Sequence, residues 1–237
     1  MSKHLPNLFT LINLSLGFFS ILLSSQGNFS SASLLILFAS IADFLDGFLA
    51  KKLNAVSDLG KQLDSLSDMI TFGVSPAILM YYFLLELPQT ISPYSNYLVV
   101  LIPIFSALRL AKFNIDVNQN QNFKGLPTPA NALFFASIIY FLSNNQTLFS
   151  AEILYKILLV LIMIFSYLLN SNVMFFSLKF FSSGWVGNEF RYAFLLICLF
   201  VIAIAFFMNI LGLSVSIIIL LYIVLSLLNN INIKNEI

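Results

Sequence analysis

The chain has 237 residues, 59% of them hydrophobic and only 9% charged, with a mean hydropathy of +0.96. Soluble domains carry about 25% charged residues, so the composition excludes a water-soluble domain and points to an integral membrane protein. A net charge of +1 gives no basis for a nucleic-acid partner, and a single cysteine, Cys198, rules out an intramolecular disulfide or a cysteine metal cluster.

A bilayer-spanning helix needs about 20 apolar residues. By that ruler the first predicted span covers roughly 6–25, with Asn7 and Thr10 three apart on one face near its start. The second (32–53) carries Asp43, Asp46, Gly47, Ala50 and Lys51; the third (60–86) carries Gly60, Asp64 and Asp68. The fourth (95–114) ends with Arg109, Phe113 and Asn114. Pro127 and Pro129 break the chain and start a fifth span at 128–144. A sixth follows at 152–171, then an aromatic stretch at 172–190 expected to lie along the membrane surface. It contains Phe175, Phe176, Phe180, Phe181 and Trp185 beside Lys179 and Gly184. Spans at 192–209 and 212–229 complete the chain, separated only by a tight turn near Asn209–Leu213, so that seven spans is the alternative reading. The expected fold is an all-α polytopic membrane bundle of about eight helices, forming a single integral membrane domain over 1–237.

Of the eleven basic residues, ten fall on one side of this arrangement and only Lys156 on the other. By the positive-inside rule, that side, with both termini and the acidic residues of spans two and three, is expected to face the cytoplasm.

Five of the ten acidic residues lie between Asp43 and Asp68. A charge at hydrocarbon depth costs roughly 2.5–3.5 kcal/mol on insertion scales, so such a cluster calls for a cation. Asp43 and Asp46 are three apart, Asp64 and Asp68 four apart, and each pair therefore shares a helix face. The short connection Asn54–Leu59 lets the two faces meet. Four carboxylates converging there suit one or two hard divalent ions, magnesium or manganese, which keep positions open for phosphate oxygens. Gly47 and Ala50 remove side-chain bulk beside the acids, where a nucleotide would approach the backbone. Gly60 opens the third span one turn before Asp64.

The pattern Asp43-x-x-Asp46-Gly47-x-x-Ala50-Lys51, eight residues, Gly60-x-x-x-Asp64-x-x-x-Asp68 resembles the signature of the CDP-alcohol phosphotransferase family. Every spacing agrees, and Lys51 stands where that signature has arginine. The resemblance implies transfer of a phosphatidyl-type group from a CDP-linked lipid to an alcohol, with release of CMP. It implies metal ligation by Asp43, Asp46, Asp64 and Asp68, with Asp68 also the general base. It further implies a CDP-lipid site formed by Asn7, Thr10, Asp43, Gly47, Ala50, Lys51, Gly60 and Asp64, a core over 1–171 with additional C-terminal helices over 172–237, and a homodimer.

Other segments look like the phosphatidylserine synthase branch: the opening Lys3–Leu14, Lys61–Asp68, Thr71–Pro76, Ala107–Asn114 and Gly125–Asn131. The partners implied are CDP-diacylglycerol and L-serine, in a bacterial cytoplasmic membrane. Serine is a zwitterion; Arg109 suits its carboxylate, and Phe113 and Asn114 complete that wall. Glycerol 3-phosphate, inositol or choline is the alternative acceptor within the same reaction class. A divalent cation transporter is a distant alternative, for which the chain lacks the repeated halves such proteins often have.

Overall fold

The computed structural model describes residues 4–115, 123–145, 150–175 and 188–235. Helices α1 (Leu5–Ser25), α2 (Phe29–Lys52), α3 (Asp58–Asp68), α4 (Ser75–Leu85) and α5 (Leu101–Ile115) form the N-terminal part. Helices α6 (Thr128–Asn144), α7 (Ala151–Leu169), α8 (Glu189–Phe207) and α9 (Ser214–Asn235) follow. A π-helical turn, Met69–Val74, joins α3 and α4 into one helix from Asp58 to Leu85, and a 3-10 segment, Pro93–Val100, leads into α5. Each of the eight expected spans therefore coincides with a helix. Six are long and apolar enough to cross a membrane, whereas α6 has 17 residues and α8 supplies a shorter apolar stretch, Arg191–Phe207. A 17-residue helix is about 25 Å long, a few ångströms short of the hydrocarbon core, a mismatch that local bilayer thinning accommodates. The protein is an all-α integral membrane bundle.

Most of the aromatic stretch expected on the membrane surface lies outside the described residues. Within it, Met174–Phe175 forms a two-residue strand, β2, antiparallel to β1 (Phe123–Lys124). This pairing satisfies backbone groups of two loops that would otherwise lack partners.

Helix α1 buries its small and polar residues and presents its large apolar ones outward. Pro6, Thr10, Asn13, Gly17, Ser20 and Ser24 are buried, spaced by four and three residues alternately. Phe18 and Phe19 are more than half exposed. Lipid tails solvate phenylalanine as well as a protein core does, so close helix contact falls to small residues. Helix α2 answers with buried Ala32, Ser33, Ala39, Ala42 and Asp46, and Ser20 Oγ donates to the Ala32 carbonyl at 2.9 Å. The α1–α2 turn closes on Gly27 at φ +76°, with Asn28 N donating to Leu23 O and Gly27 N to Ser24 O, a Schellman motif. Asn54, at φ +49°, ends α2 in the same way, and the Ser57 side chain caps α3 by accepting from Gly60 N.

The π turn has a local cause. Pro76 lies inside the Asp58–Leu85 helix, where its ring would clash with a carbonyl one turn back and its missing N–H breaks the ladder. One extra residue in the turn absorbs both defects and rotates everything after Asp68 relative to α3. A separate apolar core fills the space among α4, α6 and α7, where Phe134 and Phe165 stack with centroids 3.7 Å apart.

Candidate active site

The site is built where α1 begins, α2 ends and α3 runs between them. Asp43 of α2 and Asp64 and Asp68 of α3 each offer one carboxylate oxygen, and these three oxygens lie within 4.8 Å of one another. Asp43 is within hydrogen-bonding reach of both its partners. Three anionic groups this close repel unless a cation or protons lie among them. An all-oxygen set without nitrogen or sulfur ligands fits a hard divalent ion that keeps further positions for phosphate or water.

The fourth aspartate of the pattern stands apart from this trio. Asp46 is buried, and its Oδ2 accepts a 2.7 Å hydrogen bond from Thr10 Oγ1. It still feels the charges of Asp43 and Asp64, so it borders the same centre. Replacing Thr10 by valine keeps the shape and removes the donor. A charge-assisted bond contributes about 1.5–3 kcal/mol, so Thr10→Val is expected to lower kcat/KM by about tenfold or more; a kinetic constant within twofold of wild type would show that Asp46 needs no fixing.

Helix α1 is the scaffold of the site, and several of its contacts were not legible from the carboxylate pattern. Asn13 Nδ2 donates to Asp68 Oδ1 at 3.3 Å, which leaves Asp68 Oδ2 for other partners. Ser67 Oγ donates to the Thr10 carbonyl and Thr71 Oγ1 to the Asn13 carbonyl, each at 3.0 Å. The signal for these residues was the stripe of small and polar side chains down an otherwise lipid-facing helix.

The remaining expected residues surround this centre. Asn7 meets the start of α3, because a Cβ on Gly60 would sit 3.3 Å from Asn7 Oδ1. Gly47 is exposed beside the acids, with nothing within 4 Å of where its Cβ would be. Ala50 is half-buried and Lys51 exposed at the end of α2. On α5, Arg109 lies in the electrostatic field of Asp68, and its buried Nε has no hydrogen-bond partner among the described residues. Asn114 exchanges hydrogen bonds with Ser65 of α3, Nδ2 to Oγ at 2.9 Å and Oγ to Oδ1 at 3.2 Å. Phe113 is exposed one residue earlier. Helix α5 thus walls one side of the acidic centre.

Fold and site together define a polytopic membrane protein with a carboxylate centre suited to a divalent cation. The chain belongs to the CDP-alcohol phosphatidyltransferase family, whose sequence profile matches residues 3–181. That membership removes the transporter alternative. Among its relatives, the archaetidylserine synthase of Methanothermobacter thermautotrophicus is 42% identical over 136 residues, 56% of each chain. The CDP-diacylglycerol–serine O-phosphatidyltransferase of Helicobacter pylori is 34% identical over 176 residues, 73% of this chain and 72% of that one. The enzyme of the same name from Bacillus subtilis is 40% identical over 128 residues, 54% of this chain and 70% of that one. The match thus spans a little over half the length of the archaeal relative and about seven-tenths of the two bacterial ones.

Proposed function

We propose that this protein transfers the phosphatidyl group of CDP-diacylglycerol to the hydroxyl of L-serine, forming phosphatidylserine and releasing CMP. One observation carries the reading: three carboxylate oxygens from two helices lie within 4.8 Å of one another. The orphaned Nε of Arg109 beside Asp68 supports a carboxylate-bearing acceptor, because an unmet buried donor costs about 1–3 kcal/mol. The similarity to serine O-phosphatidyltransferases supports serine.

In this reading Asp43, Asp64 and Asp68 hold a magnesium or manganese ion, with Asp46 as a further ligand or as the bordering charge that Thr10 orients. The bound ion supplies neutralisation of the pyrophosphate charge and of the departing CMP. Gly47 and Ala50 leave the surface of α2 open for the nucleotide, Asn7, Thr10 and Gly60 border it, and Lys51 offers a point charge to the donor phosphates. Arg109 receives the acceptor carboxylate, with Phe113 and Asn114 closing that wall. Asp68, whose Oδ1 is engaged by Asn13, takes the hydroxyl proton on Oδ2 as the serine oxygen bonds to the lipid phosphorus and CMP leaves. Residues 1–171 form the catalytic core, and 172–237 are an addition to it. The site faces the cytoplasm of a bacterial membrane, a reading supported by the ten-to-one placement of basic residues. A homodimer is part of the proposal on the family resemblance alone, and cross-linking in native membranes tests it.

The deciding assay gives purified protein CDP-diacylglycerol with serine, glycerol 3-phosphate, inositol or choline, in the presence of magnesium, manganese or chelator. CMP release is expected only with serine and a divalent ion, and chelator abolishes it. A much faster reaction with another acceptor would replace serine while keeping the reaction class. No CMP with any acceptor would overturn the proposal.

A further inference from the structure

At the end of the bundle opposite the carboxylates, a crevice of about 290 Å³ opens between α2, α6 and the 3-10 turn Leu211–Leu213 that precedes α9. Its floor is made of small residues: Ser33 of α2, Ala136 and Ser137 of α6, and Ser214 of α9. Leu34 and Leu211, both exposed, stand at its rim, and Leu37 and Leu133 line it further along. The turn is bonded to α6. Ser137 Oγ donates to the Gly212 carbonyl and accepts from Ser216 N, and Ser216 Oγ donates to the Phe134 carbonyl. Gly212 itself lies against the Tyr140 ring, where a Cβ would come within 2.9 Å of Cδ1. The gap between the turn and α2 is thus built into the fold.

The chemistry of the walls selects the occupant. No charged residue lines the crevice, so an ionic ligand would be buried without a partner. Ser33 is 3% exposed, and its Oγ has no hydrogen-bond partner among the described residues. The Ser137 and Ser214 hydroxyls are already donated, the latter to the Leu211 carbonyl at 2.8 Å. A buried water needs about two to four polar partners, and of these floor hydroxyls only that of Ser33 is unused. What fits is an apolar chain carrying one acceptor.

The depth of Ser33 matches a lipid ester. Ser30, Ser143 and Asn144 form a polar cluster at this end of the bundle: Ser30 Oγ lies 2.9 Å from Ser143 Oγ, and Asn144 Nδ2 donates to Ser30 Oγ at 2.8 Å. Ser33 is three residues further along α2, about 4.5 Å deeper. The headgroup layer on each side of a bilayer is about 5–7 Å thick, with the ester carbonyls at its inner edge. Beyond Ser33 the crevice runs past leucines. At about 30 Å³ for a water-sized group, it holds roughly ten chain carbons.

We propose that this crevice is a lipid-binding site that takes one acyl chain of a glycerolipid from the leaflet opposite the carboxylate centre, its ester carbonyl accepting from Ser33 Oγ. The CDP-linked donor is a different molecule. Asp43 lies ten residues beyond Ser33 on α2, about 15 Å away along the axis. The donor's ester carbonyls are only a few bonds from its phosphate, so they cannot reach Ser33 while the pyrophosphate sits at the aspartates. The bound chain bridges α2, which carries Asp43 and Asp46, to α6 and to the start of α9, and so fastens the C-terminal helices to the helices of the site.

The test equilibrates full-length protein in mild detergent with radiolabelled dioleoyl phosphatidylglycerol, or with the ether-linked lipid of the same chains and headgroup. The ester lipid is expected to bind about fivefold more tightly than the ether, the scale of one hydrogen bond, and Ser33→Ala should abolish that preference. Ala136→Leu puts a side chain into the crevice. It should weaken binding of both lipids about tenfold or more while affinity for CDP-diacylglycerol stays within about twofold of wild type. Saturating ester lipid should raise the thermal midpoint of the wild type and leave that of Ala136→Leu unmoved. Equal binding of ester and ether by the wild type overturns the proposal. So does lipid retention that both substitutions leave unchanged, the mark of lipid held only around the bundle. A matching loss of CDP-diacylglycerol binding in Ala136→Leu would assign the crevice to the donor's own chain and overturn it too. Should Ala136→Leu fail to fold, the ester and ether affinities of the wild type and Ser33→Ala decide alone.

Discussion

Asp68→Asn is expected to reduce CMP release by about 10²–10⁴-fold while leaving CDP-lipid affinity within a few-fold of wild type. The range is that of a lost general base. Asp68 is 8% exposed, accepts from Asn13 on Oδ1, touches Asp43 and faces the charge of Arg109. Asparagine fills the same volume and keeps an oxygen for Asn13, but it cannot take a proton from the acceptor hydroxyl. Asp43 and Asp64 remain to hold the ion. Steady-state turnover measured beside equilibrium binding of CDP-diacylglycerol separates the two effects. Turnover near that of wild type would remove Asp68 as the base, and equal losses of binding and turnover would make it only a ligand.

The second large effect is expected at Gly17, one turn along α1 from Asn13. A Cβ there would lie 2.8 Å from the Thr71 Cα, in the π turn that follows Asp68. Backbone cannot yield as a flexible side chain can, so Gly17→Ala must push α1 away from the Asp58–Leu85 helix. Overpacking of this kind costs about 1–3 kcal/mol. The same displacement moves Thr10 and Asn13, which hold Asp46 and Asp68. A shift near 1 Å in catalytic groups costs on the order of 10²-fold in rate. Thermal unfolding in detergent and CMP release should therefore fall together. Gly47→Ala is the control: its Cβ meets nothing within 4 Å, so stability should hold while KM for CDP-diacylglycerol rises. A stable, fully active Gly17→Ala would show that the α1 contact does not set the site.

Much of this protein was legible before folding, because its solvent is lipid. The eight apolar runs each became a helix, and the turn near Asn209 closed on a residue at φ +56°. The aspartate pairs, three and four residues apart, fell on shared faces because those separations bring side chains together on any α-helix. What the spacing left open was the phase of one helix against another. Four carboxylates were expected to converge, and the three that meet are Asp43, Asp64 and Asp68. Asp46, one turn along α2, is drawn instead to Thr10, a residue expected to face the nucleotide. The π turn was equally hidden, although Pro76 within a span was its sign.

The amino-acid sequence alone determined that the chain lives in a membrane, where its helices run, and which residue types carry the chemistry, since these follow from composition and local periodicity. Tertiary structure alone decided which acids share a centre and how α1 props them. Those outcomes depend on contacts between helices distant in the chain, set by how closely small residues such as Gly17 let two backbones approach and by the rotation that one extra residue in a π turn imposes.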